Sequence, residues 1–137
     1  MKLGTRLTLG LGCDRGTPLE TLAHAVDQAL SSLGCLPGQV SGAASIDLKA
    51  DEQGLLRLAE QRGWPLQFYS AAALEEVTVP NPSETVRRFT GSPSVSEAAA
   101  LLLGQGGLGD LLLEKFKYQG ADGRNATVSV ALDRREE

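Results

Sequence analysis

The sequence predicts an α/β domain on a sheet of about five strands, mostly parallel, closed by a C-terminal antiparallel hairpin. Two observations carry that expectation. Residues 7–69 alternate short apolar runs with stripes at helical spacing, in the order strand-helix-strand-helix-strand of a parallel sheet with covered faces. Near the C-terminus two strand-like runs, 111–118 and 126–132, flank a short polar stretch with Gly120 and Gly123, which reads as a hairpin. At 137 residues the chain fits one domain.

The first strand contains Leu7-Thr8-Leu9 and runs into Gly10-Leu11-Gly12-Cys13-Asp14-Arg15-Gly16-Thr17. Thr17 is expected to cap the first helix, with Pro18 at its first position and Glu20 completing a capping box. That helix should span 18–33, burying Leu19, Leu22, Ala23, Val26, Ala29, Leu30 and Leu33 and stopping at Gly34. A second strand is expected at 40–46 and a second helix at 51–62, stopped by Gly63. Residues 66–69 make a third strand, and Ser70 caps a brief helix through Glu76. The stretch Val77-Thr78-Val79-Pro80-Asn81-Pro82-Ser83 is stiff and extended, because residues before proline avoid the helical region. Helix is expected again at 83–89. A further capping box, Ser94-Val95-Ser96-Glu97, opens an alanine- and leucine-rich helix through Leu103, followed by a flexible glycine-rich loop at 104–109.

A glycine-rich turn between a strand and a helix is where α/β proteins hold anions, since bare backbone N–H groups can approach a ligand. Arg15 adds a planar, permanently charged fork. The glycines fall at 10, 12 and 16, one residue off the dinucleotide fingerprint, and no Gly-Lys-Ser/Thr ending marks a nucleotide loop. A tight connection that binds nothing is the alternative reading.

The same edge of the sheet should collect Asp47, Lys49, Asp51 and Glu52 after the second strand, and Tyr69 and Ser70 after the third. Asn81 presents an amide between two prolines. Lys115 and Lys117, two apart in a strand, should share a face with β-carbons about 6.5 Å apart. Each has a plainer reading: helix caps for Asp51 and Ser70, a turn former in Asn81, an edge strand guarded by lysine.

A net charge of −4 with 4% aromatic residues argues against nucleic acid, and no apolar run approaches a membrane span. No secretory signal precedes the first strand, which favours the cytoplasm. Cys13 and Cys35 lack the company of a zinc site or a disulfide framework, so no metal and no cofactor are expected. His24, the only histidine, lies in the first helix almost two turns from the loop, which disfavours a catalytic triad.

The ordered segments GLGCDRGT (10–17), SIDLKADEQGLLRLAE (45–60), FYSAAAL (68–74), VPNPSETV (79–86), GSPSVSEAAALLL (91–103), LLLEKFK (111–117) and NATVSVALDR (125–134) resemble the cobalamin-biosynthesis family of CobE and the C-terminal domain of CbiG. The resemblance is nearly full length. It implies a three-layer α/β/α sandwich acting on the route to the corrin ring, with a precorrin or hydrogenobyrinic-acid-like polycarboxylate tetrapyrrole as ligand and other corrin-pathway enzymes as partners. The family pattern matches at Gly10, Gly12, Cys13, Arg15, Gly16, Thr17, Asp47, Lys49, Asn81, Ser92, Ser94 and Lys115, with Ser92 standing where relatives often carry threonine. CbiG is associated with lactone opening of cobalt-precorrin-5A and loss of a two-carbon fragment. The chain is expected to lack the N-terminal part of that larger protein, and the stand-alone CobE form belongs with the aerobic pathway.

An acidic protein holding a polyanion needs a local basic cluster, for which Arg15, Lys49, Lys115 and Lys117 are the candidates. The leading expectation is a carrier in which residues 10–17 form one wall of the site, Arg15 supplies its charge and Lys49 is the nearest ally. The alternatives are a hydrolase or rearrangement helper using Asp47, Glu52 or Cys13 as acid, base or nucleophile, and a non-catalytic subunit of a pathway enzyme.

Overall fold

In the computed structural model, which describes residues 5–77, 79 and 95–135, the apolar runs pair as their alternation requires. The strands are β1 (Leu7–Cys13), β2 (Val40–Ile46), β3 (Leu66–Tyr69), β4 (Leu111–Gln119) and β5 (Asn125–Leu132), in the sheet order β3-β2-β1-β5-β4. β1 pairs in parallel with β2, and β2 with β3. β5 runs antiparallel to both β1 and β4, so β4 points the same way as β1 and only β5 is reversed. The C-terminal ends of β1 to β4 therefore share one rim.

Four described helices cover the two faces: α1 (Leu19–Ser32), α2 (Gln53–Arg62), α3 (Ala71–Glu75) and α4 (Val95–Gly104). On one face Leu22, Val26 and Leu30 of α1 and Leu55 and Leu58 of α2 pack against Leu7, Leu9, Val128 and Val130. On the other, Leu74 of α3 and Ala98, Ala99 and Leu103 of α4 meet Ala44 and Ile46 of β2. These are the layers of an α/β/α sandwich. α4 is buried nearly all round, Glu97 included at 0% exposure, as a helix without a polar face must be.

Gly10 explains how α4 sits so close. A β-carbon there would lie 1.7 Å from the Ser96 carbonyl oxygen and 2.8 Å from the Ala100 nitrogen, so only a bare backbone lets helix and strand meet. The Thr8 hydroxyl donates to the Ala100 carbonyl at 2.8 Å and the Ser96 and Ser129 hydroxyls pair at 2.8 Å. Helix and sheet thus satisfy each other's buried polar groups.

Helix starts differ from the sequence expectation. Pro18, not Thr17, occupies the cap position of α1, with no side-chain cap bond. Thr17 is buried and its hydroxyl donates to the Asp14 carbonyl at 2.7 Å. The loop claims that hydroxyl, so the capping box with Glu20, which is exposed, does not form. α2 begins at Gln53 because Asp47–Lys49 form a 3-10 turn and the Glu52 side chain makes no cap bond. Ser70 does cap α3, accepting from the Ala73 N–H at 3.1 Å. The expected helix at 83–89 and the cap Ser94 lie outside the described residues. The segment expected as a flexible loop is ordered: Leu108–Asp110 form a 3-10 turn, and the Gly107 N–H donates to Asp110 Oδ2 at 2.9 Å.

At the opposite rim Asp133 knots the sheet together. Ser41 Oγ donates to its Oδ2 at 2.6 Å, Arg135 donates through Nε at 2.9 Å and Nη2 at 3.0 Å, and Arg6 lies at 3.2 Å. These bonds, Arg135 foremost, hold the Asp133 carboxyl well below the usual carboxylate range.

Candidate functional site

The glycine-rich loop leaves β1 at Cys13 and is clamped on both sides by its own chain. On the hairpin side, the Asp14 N–H donates to the Asn125 carbonyl at 3.0 Å, and Asn125 returns its N–H and Nδ2 to Asp14 Oδ2 at 2.8 and 3.0 Å. Arg124 Nε donates to the Arg15 carbonyl at 2.9 Å. Gly16 takes a φ of +78° there, a left-handed conformation that suits glycine.

On the other side stands the start of α2. Arg15 Nη1 donates to Asp51 Oδ1 at 2.7 Å and Glu52 Oε2 at 3.2 Å, while Nη2 donates to the Leu48 carbonyl at 2.6 Å. The Gly16 N–H donates to Glu52 Oε1 at 2.8 Å. A carboxylate of the chain itself therefore occupies the place where the loop would meet an anion. The bond from Arg15 holds the Asp51 carboxyl below its ordinary value, and Asp51 in turn raises Arg15. Arg15 was expected as the free charge of the site; its fork is already engaged, because Asp51 and Glu52 project from the adjacent strand end.

The rest of the rim is less committed. Gly12 pairs with Thr127, and Thr127 with Lys117, so the three lie in one row across β1, β5 and β4. Phe116 and Tyr118 pack on the α1 side, so Lys117 between them faces the α4 side, as Gly10 does beneath Ser96. Among the described residues, only Thr127 Cβ, at 3.9 Å, comes within 4 Å of a β-carbon built on Gly12. Gly12 thus has neither the packing demand of Gly10 nor the positive φ of Gly16, and among the described residues only Thr127 packs near it. Lys49 stands on the 3-10 turn after β2. Among the described residues neither Lys49 nor Lys117 has an ion-pair partner.

Lys115 does not share that row. The ladder slips between the Leu113–Val130 and Phe116–Val128 pairings, three residues against two, so Lys115 sits in a bulge outside the alignment with Thr127. β4 is also a sheet edge, where lysine guards against strand addition. Asn81, Ser92 and Ser94 lie outside the described residues.

The catalytic candidates are brought to the rim, yet no nucleophile-base pair forms among them. Burial pushes the Cys13 thiol up to about 11, against the nearby Lys49 charge that lowers it, so the thiolate is scarce at neutral pH. His24 is exposed on α1, its Nε2 2.8 Å from Gln28 Nε2 and its ring 4.6 Å from that of Tyr118. Both Glu52 oxygens are engaged, and Asp47 is exposed. Among the described residues no three His, Cys, Asp or Glu side chains gather to hold a metal, and no described helix is long and apolar enough to cross a membrane. Sequence reading missed Arg124, Asn125 and Thr127. The signal was their place at the start of β5, which an antiparallel partner carries back to the loop.

The comparisons with known proteins agree with this architecture. The family model described as "Cobalamin synthesis G C-terminus" matches residues 7–131. Protein CobE of Sinorhizobium sp is 40% identical over 117 residues, covering 84% of this chain and 75% of that protein. Cobalt-precorrin-5A hydrolase of Priestia megaterium is 36% identical over 126 residues, covering 92% of this chain and 32% of the hydrolase, so the chain spans about a third of that relative. A crystal structure of CobE, from the cobalamin biosynthetic pathway, superposes with a TM-score of 0.79 at 33% identity, covering 96% of each chain. With the sheet order, the covered faces and the matched span in hand, the chain belongs to the cobalamin synthesis G C-terminal family, of CobE type.

Proposed function

We propose that the protein binds and carries a polycarboxylate tetrapyrrole, a precorrin or hydrogenobyrinic-acid-like intermediate of cobalamin biosynthesis, at the C-terminal rim of its sheet, and does so in the cytoplasm. The observation that carries this reading is the pair of lysines without ion-pair partners among the described residues, Lys49 and Lys117, on either side of the open backbone at Gly12. The protein carries a net charge of −4, and most of its described arginines are paired with carboxylates. Two lysines on one rim that have no such pair among the described residues favour an external anion. The clamped loop keeps that rim rigid, so little order has to be created on binding. Gly10, Gly16, Thr17, Asp14 and Arg15 then shape the wall rather than touch carboxylates.

Titration of the purified protein with hydrogenobyrinic acid, followed by visible absorption, tests the reading. A saturable spectral shift is expected, weakening as salt rises because exposed ion pairs are screened. Absence of any shift or retention with hydrogenobyrinic acid and precorrins would refute it. Hydrolase action is the second reading, favoured by the 36–38% identity to cobalt-precorrin-5A hydrolases. Release of acetaldehyde from a purified lactone intermediate would establish it, and the engaged Glu52 and protonated Cys13 argue for no such turnover.

A further inference from the structure

Resting on the reading of the rim as a polycarboxylate site, we propose that Lys49 and Lys117 form a two-point clamp for carboxylates on opposite edges of one flat macrocycle lying over the bare backbone of Gly12. The sheet order places β2 and β4 at either side of β1 and β5. Three strand spacings, about 14 Å, separate those two strands, and Lys49 stands on the turn beyond the end of β2, so the two lysine stems start from opposite sides of Gly12. Gly12 and Thr127 lie between, and Gly12 projects nothing into that space.

The spacing selects the ligand class. A small dicarboxylate would have to draw both ammonium groups inward, stretching two flexible stems and crowding like charges. A macrocycle with carboxylates around its edge meets both lysines in relaxed conformations. Two arginines described near the rim have partners: Arg15 binds Asp51 and Glu52, and Arg124 binds Asp122 at 3.1 Å. Asp47, exposed beside Lys49, disfavours further anion contacts on that side, so the clamp has two points rather than a continuous basic surface.

The test measures affinity for hydrogenobyrinic acid, for the same macrocycle with its carboxylates amidated, and for succinate. The wild-type chain is compared with Lys49→Gln, Lys117→Gln, the double variant and, as a charge control on exposed α2 surface, Arg57→Gln. Each rim variant should weaken hydrogenobyrinic acid by about threefold to tenfold, consistent with one charge-assisted contact. The losses should multiply in the double variant, as expected for contacts more than about 10 Å apart. Arg57→Gln should change nothing, and the amidated macrocycle and succinate should bind far more weakly. Gly12→Leu, which fills the strip without altering charge, should block the macrocycle. Unchanged affinity in the double variant, a double loss no larger than a single one, or succinate binding as tightly would overturn the clamp while leaving tetrapyrrole binding intact. No binding of hydrogenobyrinic acid by the wild-type chain would overturn both.

Discussion

Three glycines, Gly10 and Gly12 in β1 and Gly16 in the loop after it, serve different physical ends. Gly10 is a packing glycine: its missing β-carbon is the space filled by the Ser96 carbonyl. Gly10→Ala should destabilise the fold by about 3 kcal/mol or more, since two backbones would have to part. Urea unfolding measures it, and an unchanged midpoint would contradict the close approach of α4. Gly16 serves the turn, and Gly12 has only Thr127 near it among the described residues. Cys13 is a second residue-scale case. With its thiol raised to about 11 by burial, alkylation by iodoacetamide should be slow at pH 7 and rise steeply only in alkaline solution. Rapid labelling at neutral pH would reinstate it as a nucleophile. The raised value also shows why a cysteine beside a helix start and an arginine need not be reactive: Glu52 and Asp14 cancel part of the positive field.

At the scale of elements, the two rims differ in how they use charge. The rim at the start of β1 and β2 is closed on itself by Asp133, whose side chain is fully buried among Ser41, Arg6 and Arg135. A carboxyl held below its unfolded value stabilises the fold above the ordinary carboxylate pKa of about 3.9, and that stability is lost as pH falls through the folded value. Asp133→Asn should therefore cost about 2 kcal/mol at pH 7, and the gap to wild type should narrow below about pH 4. A gap that stays constant down to pH 2 would contradict the ionised knot. The rim at the ends of β1 and β2 is tied instead through Arg15 to the start of α2. Because Arg15 and Asp51 are exposed, that link serves geometry more than stability.

At the scale of the whole molecule, the sheet was legible because apolar runs bounded by glycine and proline have little freedom: the expected second and third strands, 40–46 and 66–69, coincide with β2 and β3. The hairpin followed for the same reason. Helix starts were less legible, since Thr17, Asp51 and Glu52 are all competent caps and only the folded loop decides where their side chains go. The candidate site was legible as a rim but not in its division of labour. Nothing in Arg15 as a residue tells that Asp51, Glu52 and the Leu48 carbonyl converge on it from more than thirty positions away. Nor does a spacing of two between Lys115 and Lys117 announce the bulge that separates them.

Whether a polycarboxylate tetrapyrrole lies over Gly12 between Lys49 and Lys117 is read from amide chemical-shift mapping of the labelled protein during titration with hydrogenobyrinic acid. Perturbations centred on Gly12, Lys49, Lys117 and Thr127 are expected, with α1 and α2 quiet. Perturbations centred instead on the groove by Leu36 and Arg62, between the ends of α1 and α2, or none at saturating ligand, would contradict that placement.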